Sequence, residues 1–267
     1  MKKPNRKTVA DLRALRGVRP LAMLRVETLE EAEAAERAGI DMVSVPPPLM
    51  LDPAFREAAP TRFAIPGDNF YEIGTTEDFI RWAFRLYKAG ADAVYCSAGT
   101  HTIRRLAEEG IPVCGHVGLI PSKATWTGGF KAVGKTLETA QLVWRQVQAL
   151  EEAGAFAAEI EVVPEAIATE IAQRCTLFMI SMGAGAGCDA QYLFSDDVLG
   201  ANTGHVPRHA RTYRNFAAEF ARLQEERVGA YREFASDVRS GAYPEAGHKV
   251  AADEELLARF RDWLEAQ

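Results

Sequence analysis

The sequence contains no apolar run near the ~20 residues that span a bilayer. Its first residues, Met1 to Lys7, lead into no apolar stretch of the secretory kind. CxxC pairs and the Cys/His spacing of zinc sites are missing too. The four cysteines, Cys96, Cys114, Cys175 and Cys188, are scattered, and the expectation is buried, reduced thiols. Nor is there an excess of positive charge: 31 Lys and Arg stand against 37 Asp and Glu, a net charge of −6. That balance argues against nucleic acid or an anionic membrane as a partner. What remains is a cytoplasmic protein with no membrane and no nucleic acid to bind.

What is present is an alternation. A chain of 267 residues, 48% hydrophobic and 25% charged, suits one barrel of about 250 residues or two smaller domains. Apolar, β-rich runs fall at 21–26, 42–45, 62–65, 93–96, 111–120, 157–163, 177–182 and 191–195. Between them lie amphipathic segments, among them 76–89, 102–109, 137–153 and 164–174. Thr28 with Glu31 predicts a capping box, and Pro46-Pro47-Pro48 should halt the second strand. Several helices close on Ala-Gly, at Ala38-Gly39, Ala89-Gly90 and Ala153-Gly154, and a new strand follows each. Eight such parallel units without a dinucleotide fingerprint favour a closed (β/α)8 barrel over an open sheet. We expect one barrel domain over 1–267. A short helix capped by Thr8 and ending at Gly17 precedes it, and a helical extension follows, with one or two helices in 213–238 and another in 250–267. That extension would cap the barrel or mediate assembly.

The most informative stretch is 111–136. Its apolar strand is interrupted by Gly115, His116 and Gly118, a pattern that places a polar group at the strand end and lets something approach the backbone closely. A loop follows in which Gly129 to Thr136 satisfies GxxxxGK[ST], the phosphate-loop pattern. That loop must leave a strand directly to wrap its N–H groups around phosphates. Here Ile120 to Gly128 intervenes, and no partner strand ending in Asp stands out. A nucleotide-dependent phosphotransferase therefore rests on the pattern alone.

Barrel chemistry sits at the C-terminal ends of strands. Those ends offer Arg25, Ser44, Asp68, Tyr95, Ser97, His116, Glu159 and Glu161. Alternation puts Glu159 and Glu161 on one face of the sixth strand. Two inward carboxylates are costly unless paired or neutralised. Burial would raise a carboxyl pKa, as a general base on a carbon acid needs; one salt bridge per glutamate would account for them equally. The remaining histidines, His101, His205, His209 and His248, read as surface, capping or loop-anchoring residues.

Residues 115–122, GHVGLIPS, and 128–136, GGFKAVGKT, resemble the ketopantoate hydroxymethyltransferases (3-methyl-2-oxobutanoate hydroxymethyltransferases), which read GHxGLTPQ and GGxKVQG there. Glu161-Val162-Val163-Pro164 is similar to that family's Glu-x-Val-Pro. The likeness continues through Met182–Gly185, Cys188–Gln191, Gly204–Arg208 and Ser240–Pro244. It implies a barrel of the phosphoenolpyruvate/pyruvate-binding type, a homo-oligomer and a place in pantothenate biosynthesis. It also implies a ketoacid substrate, 5,10-methylenetetrahydrofolate as the one-carbon donor, Glu161 as catalytic base and His116 as a substrate contact.

The first half departs from the pattern. The family's Mg²⁺ ligands close its strands 2, 3 and 4, with a serine and a lysine gripping the ketoacid. Here Pro46 and Pro47 stand where Asp-Ser belongs, Tyr95 replaces the lysine and Ser97 the glutamate, so Mg²⁺ is in doubt. Only Asp68 remains as a metal candidate. One carboxylate is no cage for a hard ion. Two readings follow. In the first, a metal-independent relative keeps Glu161 as base and stabilises the enolate with a cation or hydroxyls such as Arg25, Lys123, Tyr95 and Ser97, with Ser44 as a further substrate-binding candidate. In the second, a paralogue has lost the ketoacid activity and takes another small molecule or only binds one.

Overall fold

The computed structural model describes residues 5–67 and 73–267. Eight parallel strands form one sheet: β1 (Leu21–Arg25), β2 (Met42–Val45), β3 (Phe63–Pro66), β4 (Val94–Tyr95), β5 (Val113–Gly118), β6 (Ala157–Glu161), β7 (Phe178–Met182) and β8 (Ala190–Phe194). Their order, β3-β2-β1-β8-β7-β6-β5-β4, joins the first strand to the last. The result is the expected (β/α)8 barrel, nearly closed, with its seam between β3 and β4. The helices between strands include α2 (Leu29–Ala38), α5 (Thr76–Lys88), α6 (Thr100–Glu108), α7 (Leu137–Glu152) and α8 (Glu165–Arg174). No described helix is long and apolar enough to cross a membrane.

Strand periodicity sorts the side chains. On β5, Val117 packs outward with Leu150 of α7, while Cys114 and His116 point inward. The lower interior is filled by Leu21, Met42, Phe63, Phe156 and Phe178. The short helix α1 (Val9–Leu15) brings Leu12, fully buried, against this plug. All four cysteines are free and buried, as expected, and burial pushes the Cys114 thiol well up.

At the barrel floor one device recurs. Asp41, Asp92 and Asp189 each stand just before a strand, and each exchanges two hydrogen bonds with one residue of the neighbouring strand. The backbone N–H of Asp92 donates to the Ala64 carbonyl at 3.0 Å, and its carboxylate accepts the Ala64 N–H at 2.9 Å. Asp41 does the same with Ala22 and Asp189 with Met179. An arginine completes each clasp: Arg19 on Asp41, Arg56 on Asp92 and Arg16 on Asp189. Among the described residues, the Asp92 clasp ties the start of β4 to β3 across the seam.

Local details differ from the sequence expectation. Glu31 does not complete a capping box; its carboxylate accepts the Glu27 N–H, one residue upstream of the Thr28 cap. Pro46 does end β2, but Pro47 and Pro48 then open a helical turn, α3 (Pro47–Leu51), because proline's fixed φ suits a first turn. The next turn, α4 (Phe55–Ala58), anchors Phe55 in the core. β5 is shorter than 111–120, since Ile120 already caps a 3₁₀ turn over Pro121–Thr127. β8 begins one residue earlier than expected and ends where Ser195 opens α9 (Ser195–Leu199).

The chain forms two compact units, Met1–Arg214 and Asn215–Gln267. In the second, 213–238 is one helix, α10 (Phe216–Ser240), and the terminal helix is α11 (Glu254–Glu265). Neither contains a buried residue.

Candidate active site

The C-terminal ends of the strands surround a cavity of roughly 530 Å³. The structure brings Arg25, Ser44, Tyr95, Ser97, His116 and Glu161 to its wall, together with Glu159. Lys123 takes another position. It sits in the 3₁₀ turn after β5, and its ammonium donates to the Ser97 carbonyl, tying that turn to the end of β4. Asp68, the sole metal candidate of the third strand, lies outside the described residues.

The acidic wall is built by two strands. In register, His116 on β5 faces Glu159 on β6, and Gly118 faces Glu161. His116 Nε2 lies 3.0 Å from Glu161 Oε2 and 4.0 Å from Glu159 Oε1. Its Nδ1 is hydrogen-bonded to the Tyr95 hydroxyl of β4, with the two rings edge to face. All three members of the wall are buried: Glu159 is 5% exposed, His116 and Glu161 9% each.

Why Glu161 sits where it does follows from its neighbours. Gly118 has φ +83°, and a Cβ there would lie 2.5 Å from the Glu161 carbonyl oxygen. The partner admitted close to the β5 backbone is thus β6 itself. That carbonyl accepts the Leu119 N–H at 2.9 Å. The next residue, Val162, has φ +48°, a strained conformation for a β-branched residue. It is held by its N–H donating to the Met182 carbonyl and its carbonyl accepting the Val133 N–H. Strain beside a candidate base is a mark of a residue positioned against local preference.

The opposite wall is cationic. Arg25 at the end of β1 pairs with Glu27 at 2.6 Å and donates to Ser44 Oγ of β2 at 3.3 Å. A Cβ on Gly67, just after β3, would lie 3.0 Å from Arg25 Nη1. A guanidinium therefore occupies the corner where β1, β2 and β3 end. Among the described residues no carboxylate closes β2 or β4, and a fixed cation there repels Mg²⁺. The described residues of this corner do not form the cage of a hard divalent ion.

His209 was missed in the sequence, where it read as a surface residue. It follows β8, lies half-buried on the cavity wall and packs against Gly183, whose added Cβ would meet its Nδ1 at 2.7 Å. Burial pushes its pKa down, against the pull of Glu161 and Asp197. Tyr192 of β8 is also on the wall; burial, then Glu159, push its hydroxyl up.

The phosphate-loop pattern does not form a phosphate loop. The Val133 N–H is spent on the Val162 carbonyl, and Thr136 caps α7, exchanging hydrogen bonds with Thr139. Its glycines follow a 3₁₀ turn rather than a strand.

The sequence model of the ketopantoate hydroxymethyltransferase family matches residues 64–246. The 3-methyl-2-oxobutanoate hydroxymethyltransferase of Kosmotoga olearia is 32% identical over 86% of this chain and 92% of its own. That of Pyrobaculum islandicum is 34% identical over 91% and 98%. Among solved structures, the barrel resembles 2,3-dimethylmalate lyase, of the PEP mutase/isocitrate lyase superfamily, with a TM-score of 0.52, 14% identity and 98% and 97% coverage. It also resembles a phosphonopyruvate hydrolase complexed with oxalate and Mg²⁺, with a TM-score of 0.51, 16% identity and 97% and 98% coverage. At such identities the likeness shows the fold.

Proposed function

The chain belongs to the ketopantoate hydroxymethyltransferase family, and we propose that it makes or breaks a C–C bond beside the carbonyl of a 2-ketoacid, with Glu161 as general base. The observation that carries this reading is the buried Glu161 carboxylate, fixed by Gly118 and Val162 and aimed into the cavity beside His116. A buried base at the end of a barrel strand is suited to taking the C3 proton of a ketoacid.

Each residue then has a task. Glu161 removes the proton from C3, and the electron pair moves onto the carbonyl oxygen as an enolate. Arg25, with Ser44, faces that charge from the other wall and stabilises it. His116, steadied by Tyr95, orients the Glu161 carboxylate. Lys123 acts indirectly, holding Ser97 and the β4 end in place. The donor 5,10-methylenetetrahydrofolate supplies the one-carbon unit. A second cavity of roughly 590 Å³, sharing His209 and Tyr192 with the first, carries Lys135 and Arg208, cations that suit the donor's carboxylates. Replacement of the family's gripping lysine by Tyr95 supports a related rather than identical ketoacid. The exposed Phe220, Tyr231, Phe234 and Trp263 of α10 and α11 support a homo-oligomer, with this unit as an extension of one barrel domain.

The test is deuterium exchange at C3 of 3-methyl-2-oxobutanoate in D₂O, followed by NMR in EDTA. Exchange lost in Glu161→Gln supports the reading; full exchange in that variant removes it. An inert wild-type protein would mean that the substrate or the activity has changed, and the same exchange measured on related 2-ketoacids would separate a new substrate from a paralogue that has left ketoacid chemistry.

A further inference from the structure

Glu159 plays no part in the chemistry above, yet it stands in the cavity one position inward of Glu161 and directly across from His116. The geometry points to a binding site for a first-row divalent metal ion, of the class of Mn²⁺, Fe²⁺, Co²⁺ or Zn²⁺, held by His116 Nε2 and one oxygen each from Glu159 and Glu161.

One ligand atom from each of the three groups lies within 4.8 Å of the others. The closer separations, 3.0 and 4.0 Å, bracket what an ion needs. Donors at about 2.1 Å and right angles to one another lie about 3.0 Å apart, and in a tetrahedron about 3.4 Å. Small rotations of the glutamates close the remainder, since both sit on one strand face. The ligands come from adjacent strands rather than loops, which fixes their spacing through the β5–β6 ladder. All three face one way, leaving the cavity side of an ion open for a bidentate small molecule.

Two further features fit a metal. The Tyr95 hydroxyl holds Nδ1 of His116, the outer hydrogen bond that turns an imidazole's other nitrogen toward an ion. A divalent cation would also offset both buried carboxylates while leaving the ring neutral. The imidazole sets the selectivity. One nitrogen among two carboxylates favours first-row transition ions over Mg²⁺, which prefers oxygen and gives up its water reluctantly. The site lies at the ends of β5 and β6, away from the strand 2–4 positions of the family's Mg²⁺ motif, and across the cavity from Arg25. It goes beyond the proposed function and competes with it, because a Glu161 oxygen bound to a cation is not free to take a proton.

Calorimetry on the full chain, stripped with EDTA and titrated with MnCl₂, tests the site without reference to activity. We expect sub-millimolar binding of one ion per chain, not displaced by equimolar MgCl₂. Glu159→Gln should weaken it by at least about tenfold. In the wild-type protein, spin-echo spectra of bound Mn²⁺ should show one imidazole nitrogen, a readout that does not depend on any variant folding. Absence of binding at millimolar MnCl₂, unchanged affinity in Glu159→Gln, or bound Mn²⁺ without nitrogen coupling would each overturn the site. A bound ion would occupy Glu161, so its role as base is read separately, in the exchange experiment in EDTA, where the ion is stripped.

Discussion

The two ends of this barrel treat carboxylates in opposite ways. On the floor every clasp is matched: Asp41, Asp92 and Asp189 each have an arginine and a backbone N–H. On the rim Glu159 and Glu161 stand together around one imidazole, and on the far side Arg25 meets Ser44 and Glu27. Matched charges of this kind hold strands in register. Charges concentrated on one wall and answered across a cavity are poised to act on something placed between them. The same residue types thus serve stability at one end and chemistry at the other.

The sharpest way to break the contrast is at Glu161. Glu161→Gln should cut C3 exchange by about 10³-fold while leaving the thermal midpoint near the wild-type value. A large fall in the midpoint would show that the rim carboxylate is structural, like those of the floor. Asp92→Asn is the converse. Burial already pushes the Arg56 guanidinium down to about 10, against the upward pull of Asp92. Without that carboxylate the buried cation is left uncompensated, so stability should drop by about 3 kcal/mol in urea unfolding. Exchange per folded molecule should stay unchanged.

Smaller effects are expected at Arg25 and Asp41. Arg25→Ala should lower kcat/KM for the ketoacid by about 10²-fold, with Arg25→Lys restoring only part of it, because a point charge cannot reproduce the fork that meets Ser44 and Glu27. Equal kinetics in all three proteins would remove the cationic wall from the mechanism. The mildest test is pH. Burial raises the Asp41 carboxyl, but hydrogen bonds from Arg19, the Ala22 N–H and Lys7 outweigh it and bring the pKa down to about 2. A lowered folded-state pKa contributes stability that is present above the ordinary Asp value near 3.9 and is lost as pH falls toward 2. Because Arg19 is half-exposed, the contribution is about 1 kcal/mol. Asp41→Asn should flatten the acid limb of the stability curve by that amount, and an unaltered limb would count against the clasp.

Much of this was legible in the chain. Strand-and-helix alternation with Ala-Gly helix ends gave the barrel, because each unit buries its strand and must turn at a left-handed residue, as at Gly39, Gly90 and Gly154. His116, Glu159 and Glu161 were legible because strand periodicity alone decides which face they occupy. His209 was not, since it lies in the irregular segment after β8 and only tertiary folding carries it to the cavity. Nor was the partnership of Arg25 with Ser44, which depends on β1 and β2 lying side by side. The charge of Lys123 suggested a ligand, while its bond to the Ser97 carbonyl could not be read from the chain. The floor clasps did leave a signal. Gly39-Ile40-Asp41, Gly90-Ala91-Asp92 and Gly187-Cys188-Asp189 repeat Gly-x-Asp just before a strand.

The clasp at the seam has a meaning beyond its own energy. Among the described residues no ladder pairs β3 with β4, and the Asp92 exchange with Ala64 holds the floor end of one strand beside that of the next. Released, that join becomes a pair of open strand edges with unpaired N–H and C=O groups, each a template for another chain. A carboxylate at the floor thus helps to keep two strand edges from becoming templates, and solubility on heating would register its loss before catalysis does.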